Sequence, residues 1–222
     1  MPAFDVLQNK RTELIRKGLE GSVFAGGPDA PVLDETELFD PETGELIAFP
    51  EGYADIGYVT SDGAQWSRSV DTSDIDSWGS TENTRSDKTS DVTTLQLACQ
   101  ETNAQTISQY MGVNATDLKP APNGSLMVKK PTLGTAAYRR VFAIAVDLDD
   151  GGEIYIIRCL PRAKVTDYDD SPFANGDDPI LWPVTYTGYR DSEVGTSDFF
   201  IFGGPGWKAL QNTMGFEPAT TG

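Results

Sequence analysis

Residues 137–160 read AYRRVFAIAVDLDDGGEIYIIRCL. Two runs rich in Val, Ile, Phe and Tyr meet at Asp149-Asp150-Gly151-Gly152. Asp-Gly and Gly-Gly supply the positive φ angles of a tight turn, and the β-branched and aromatic flanks suit a pleated surface. This is a β-hairpin, and it sets the class. Outward from it, residues 92–99, 126–130 and 180–190 read as further strands. In the first of these, Leu95, Leu97 and Cys99 share one face and Thr94 and Gln96 the other, so one side covers a core and the other meets water. Thr102 and Gln105 form a capping box for a short helix that places Ala104, Ile107 and Met111 on one face and ends at Gly112. Gly203-Gly204-Pro205-Gly206 opens a last helix, with Trp207, Leu210 and Met214 inward and Gly215 as its cap. The expected fold is mainly β: a two-sheet β-sandwich or barrel-like domain with a short flanking helix and terminal helical segments.

Upstream, a brief strand at 53–59 is followed by a polar stretch at 71–91 in which Asp, Ser and Thr dominate. Ile75 and Trp78 are its large apolar residues. Such a stretch buries too little to fold alone, and a loop of that length inside a compact domain is functional or disordered. It reads as an arm made to meet another protein. Asp74, Ile75, Asp76, Trp78, Arg85 and Lys88 are its candidate contact residues, with Trp78 as anchor. Residues 5–17 read as a helix with Asp5 as N-cap, Leu7, Leu14 and Ile15 on one face and Gly18 at its end. Lys10, Arg11, Arg16 and Lys17 make it basic in a chain of net charge −17. A basic arm on an acidic body suggests docking, on its own body or on an identical neighbour; the alternative is a solvated helix face with no partner. Residues 37–49 suggest a small hairpin around Glu42-Thr43-Gly44. The expected organisation is an N-terminal arm over 1–50, a β domain over 51–216 and a tail over 217–222.

The composition excludes much. A pI near 4.2 disfavours sequence-specific nucleic-acid binding, which needs clustered Lys and Arg. With no histidine, every Ser-His-Asp or Cys-His arrangement and the commonest zinc ligand are ruled out. Cys99 and Cys159 sit singly in apolar runs, as buried free thiols suited to a reducing cytoplasm. Asp147, Asp149, Asp150 and Glu153 fail the EF-hand spacing, since Arg158 stands where a bidentate carboxylate belongs. Asp167, Asp169, Asp170, Asp177 and Asp178 form a looser acidic cluster that reads as a solvated loop. The glycine run at 203–206 lacks the Gly-Lys-Ser/Thr of a phosphate-binding loop. No catalytic residue, metal site or cofactor is expected. The N-terminus has no apolar signal core and no run approaches membrane-spanning length, so a soluble chain without a membrane is expected.

An ordered series of short pieces resembles the major tail protein, the tail tube subunit, of long-tailed non-contractile (siphovirus-type) bacteriophages. The pieces are the 53–59 strand ending in Thr60-Ser61-Asp62-Gly63, then Ser73-Asp74-Ile75-Asp76-Ser77-Trp78, Thr84-Arg85-Ser86-Asp87 and Gln100-Glu101-Thr102-Asn103. Tyr138-Arg139-Arg140, Leu160-Pro161-Arg162-Ala163, Pro183-Val184-Thr185-Tyr186 and Phe202-Gly203-Gly204-Pro205-Gly206-Trp207 complete it. The resemblance implies a structural virion protein, assembled in the host cytoplasm, whose subunits close into hexameric rings that stack into a tube. Its partners would be further copies of itself, the tape-measure protein in the lumen, the tail terminator and distal tail proteins, and genomic DNA as passing cargo. In such an assembly the polar stretch 71–91 is expected between rings and the basic arm on a neighbour, and Thr94 and Gln96, on the polar face of their strand, are the candidates for the lumen. The stretch 37–50 is longer than the family's usual link. The alternative is a carbohydrate-binding or adhesive β-sandwich on a virion or surface, distinguished by several Trp and Tyr gathered on one exposed face.

Overall fold

The computed structural model describes residue 4 and residues 7–132, 137–175 and 179–217. Eight antiparallel strands make one sheet: β1 (Glu20–Gly26), β2 (Tyr53–Asp55), β3 (Gln65–Ile75), β4 (Arg85–Cys99), β5 (Arg139–Asp149), β6 (Gly152–Asp167), β7 (Trp182–Gly188) and β8 (Phe199–Gly203). Their order is β2-β1-β5-β6-β7-β4-β3, with β8 beside the first half of β6 and β7 beside its second half. Residues beyond β2 then return to the far end of the sheet, where Val59 bridges Cys99 of β4. This near-closure makes the architecture barrel-like, and the layers of the expected sandwich belong to one continuous sheet.

Closure encloses a core of Val23, Ile56, Leu95, Leu97, Cys99, Val141, Leu160, Val165, Val184 and Tyr186. A second core lies on the other face of β5 and β6, around Phe142, Ile144, Tyr155, Ile157 and Cys159. Leu33, Leu38 and Phe39 cover it, so the acidic, proline-rich stretch before residue 50 is a lid over the sheet. There, helix α1 (Glu35–Leu38) is held by a reciprocal cap between Asp34 and Glu37. The expected hairpin follows as a single bridge, Phe39 to Leu46, around a turn in which Asp40 accepts from the amides of Glu42 and Thr43. Strand β1, inside the expected N-terminal arm, pairs with β5 along its whole length.

The hairpin of β5 and β6 closes at Asp149 opposite Gly152, whose φ of 111° a side chain would strain. Helix α2 (Ala104–Met111) ends at left-handed Gly112 as expected, but its capping box is Asn103 with Thr106. Thr102 is otherwise engaged, accepting the Trp182 indole N–H. The face it buries is polar, Thr106, Ser108 and Gln109, instead of the apolar one expected. Helix α3 (Pro205–Met214) runs between Gly204 and Gly215. Both cysteines are free and buried.

Several expectations fail. The helix over 5–17 does not form: Phe4 and Leu7 are helical, residues 5 and 6 lie outside the described residues, and a single 3-10 turn at Thr12–Leu14 follows. Leu7 and Ile15 stay exposed, so an amphipathic helix here would have no surface to bury against. The strand over 53–59 stops at Asp55. Residues 126–130 are no strand. The polar stretch 71–91 is not an open loop, because β3 runs on to Ile75 and β4 begins at Arg85.

Candidate assembly surface

The β3–β4 hairpin leaves the body as a two-stranded ribbon. From Ser67 to its end every residue of β3 is exposed, so neither face of the ribbon rests on a core. Such a ribbon needs local fastening. At its root Asp91 accepts two hydrogen bonds from the Arg68 guanidinium, at 2.7 and 2.6 Å, and one from Lys88 Nζ at 2.6 Å. These two cations hold the Asp91 carboxyl well below the usual carboxylate range. Thr89 Oγ1 donates to the Asp71 carbonyl beside an irregular step in the register. At the tip the Thr84 amide donates to the Ile75 carbonyl at 2.9 Å, and the Ser77 and Thr84 hydroxyls meet at 2.7 Å.

The candidate contact residues on this stretch are brought together. Asp74 pairs with Ser86 and Ile75 with Arg85 across the ribbon, and Asp76 and Trp78 lie in the turn. Trp78 is wholly exposed, at 107% of its reference area, and Ile75 stands at 49%. Two of the cations are occupied, Arg85 by Asp87 at 2.7 Å and Lys88 by Asp91.

The N-terminal basic residues divide. Arg16 turns back on its own body, ion-pairing with Asp147 at 3.4 Å and Asp149 at 3.7 Å, and the Lys17 amide donates to Asp147 at 3.1 Å. The Arg11 guanidinium donates to the Thr213 carbonyl at the end of α3. Lys10 and the Lys17 side chain remain exposed.

Thr94 and Gln96 face away from the core, as alternation requires. The register adds what sequence reasoning missed: Ser67 and Gln65 on β3, and Thr187 and Thr185 on β7, flank them on the same face. The result is a broad sheet face of hydroxyls and amides, in which Gln96 also donates to Asp169. The strand pairing of β3 was the missing signal, since its Ser and Thr residues carry no apolar alternation.

The four Trp residues stay on separate elements. Trp66 lies under the Arg158 guanidinium, 4.3 Å from it, Trp182 packs edge-on to Tyr110, and Trp207 stacks on Phe202. No group of His, Cys, Asp and Glu among the described residues could hold a metal ion; Asp177 and Asp178 of the acidic cluster lie outside them.

The family described as "Phage tail tube protein" matches residues 13–199, from ahead of β1 to the start of β8. The chain belongs to the phage tail tube protein family. No curated protein matches it. As a tail tube protein it is a structural component of the virion that assembles with itself into the tail, and the family is not one of enzymes. The antiparallel β body with few helices accords with a tail tube fold.

Proposed function

We propose that this tail tube protein closes into rings, six subunits to a ring, that stack into the tube of a long non-contractile tail. The tube forms in the host cytoplasm around the tape-measure protein, between terminator and distal tail proteins, and later conducts the genome. The observation that carries this reading is the β3–β4 ribbon, with its bare faces and an unburied Trp78. A monomer gains nothing from holding such a ribbon in water, whereas a neighbouring ring could bury it. Tyr, Trp and Arg anchors in polar surroundings carry much of the energy of such contacts. Heterologous contacts close into rings in one direction and continue as a filament in the other.

The face of Gln65, Ser67, Thr94, Gln96, Thr185 and Thr187 suits the lumen. These six groups are hydroxyls and amides, on a chain of net charge −17, and the register sets Lys164 of β6 beside Thr187 at the border of the face. Phosphate binding is driven by clustered Lys and Arg, so a wall of mostly neutral groups on an acidic chain lets DNA slide. Lys10 and Lys17 are the basic residues left to reach a neighbour from the N-terminal arm. The test is negative-stain electron microscopy of the purified protein with light-scattering mass on the same sample. Tubes or rings are expected. A chain that stays monomeric at every concentration contradicts unaided assembly and makes a glycan-binding screen the next step.

A further inference from the structure

Two features of the monomer are unmatched and complementary. The first is a cleft of about 900 Å³ at one mouth of the barrel. Its apolar lining includes Val23, Val59, Trp66, Ala143, Ile156 and Phe200, and its acids are Glu20, Asp55, Asp62 and Glu101. None of these acids has an ion-pair partner among the described residues, and the Arg158 in the lining is taken by Asp198 at 2.7 Å. The cleft therefore has an apolar floor inside an acidic rim without a paired cation, Asp55 accepting hydrogen bonds from Ser22 and Gly57 and Glu101 from the Tyr58 amide and Asn103.

The second feature lies in the segment after α2. From residue 118 to residue 146 the chain has no acid, yet it holds Lys119, Lys129, Lys130, Arg139 and Arg140. Within it, Leu126-Met127-Val128-Lys129-Lys130 has the composition of a strand but pairs with nothing: no backbone hydrogen bond involves residues 126–130 among the described residues. Leu126 is 41% and Met127 78% exposed, and half-buried Val128 separates them from the two exposed lysines. An apolar triplet followed by two cations, with its backbone groups free, is an unfinished structure. Backbone groups that only water satisfies are open to pairing with another chain.

We propose that the acid-rimmed cleft of one subunit receives residues 126–130 of a second copy, with Leu126, Met127 and Val128 against the apolar floor and Lys129 and Lys130 against the rim carboxylates. The N-terminal arm is the weaker occupant, because Arg16 and Arg11 are already engaged on its own body. Complementary charge fixes which copy meets which, and the buried apolar groups supply the affinity. This inference rests on the self-assembly reading and adds the surface by which it occurs.

The test mixes two full-length variants, Asp62→Cys and Met127→Cys, and reads intermolecular disulfides after mild oxidation. Native Cys99 and Cys159 are buried and do not compete. The mixture is expected to give a cross-linked pair at about ten times the yield of either variant alone. Adding K129E/K130E to the Met127→Cys chain should lower that yield about tenfold, through like-charge contact with the rim. Adding K10E/K17E should leave it unchanged, and the reverse pattern overturns the proposal in favour of the N-terminal arm. Tubes that form without the cross-link overturn this proposal alone. Cross-linked pairs in a preparation without tubes support it while removing the tube reading.

Discussion

Two hairpins built to the same antiparallel plan serve opposite ends in this chain. In the β5–β6 hairpin, residues such as Phe142, Ile144, Ile157 and Leu160 are buried, and both faces touch a core. In the outer part of the β3–β4 hairpin, residues alternate Ser, Thr and Asp with nothing beneath them. The first hairpin is held by apolar area removed from water, the second by hydrogen bonds and one carboxylate between two cations. The contrast separates fold from function: one hairpin's energy is realised within the monomer, the other's waits for a neighbour.

That separation can be broken experimentally, and the largest effect is expected at the inner hairpin. Phe142 has no exposed surface, and Phe142→Ala should cost about 3–5 kcal/mol through lost burial and an unfilled cavity. Thermal denaturation followed by circular dichroism reads this directly. A stability within error of wild type would mean that the second core is not a core. Next comes deletion of residues 75–88, which should leave a β-rich monomer of nearly unchanged melting temperature that forms no tubes. Normal tubes from that deletion would remove the ribbon from the assembly surface. Trp78→Ala should be smaller again, with no change in monomer stability and a loss of about 2 kcal/mol in assembly, the scale of a hot-spot aromatic. The rise in the critical concentration for tube formation measures it.

The same contrast explains what could be read before the structure. The β5–β6 hairpin was legible because its strands are apolar and its turn demands glycine. The ribbon was legible as an arm but not as strands, since both its faces are wet and a period of two has no amplitude without an apolar partner. Strand β1, Glu-Gly-Ser-Val-Phe-Ala-Gly, was missed because glycines dilute its propensity; tertiary pairing with β5 overrides that. Residues 126–130 fail in the other direction: their propensity for a strand is plain, but among the described residues they pair with no edge of the sheet. The N-terminal helix failed for want of a surface to bury against, and its arginine instead found carboxylates on β5. Thr94 and Gln96 were placed by alternation alone, whereas the wider hydroxyl face around them required the register of β3 and β7.

The finest test addresses how the ribbon is held while it waits. Asp91 is the one carboxylate shared by Arg68 on β3 and Lys88 on β4, and its pKa is depressed by both. A carboxyl whose pKa is lower in the folded ribbon than in the open one favours the ribbon above the ordinary carboxylate range. That contribution is lost as pH falls through the folded value. Around neutral pH it is fully present, and acidification below about pH 4, the ordinary carboxylate value, begins to remove it. The ribbon lies in water, so salt should weaken the same contacts. Amide hydrogen exchange in residues 65–75 and 85–92 is therefore expected to quicken modestly on acidification, after correction for intrinsic rates, and to quicken in Asp91→Asn at neutral pH. Exchange in β5 and β6 should not change in either case. If Asp91→Asn loosened both hairpins alike, the ribbon would be coupled to the body's stability, and the division between a finished hairpin and a waiting one would be wrong.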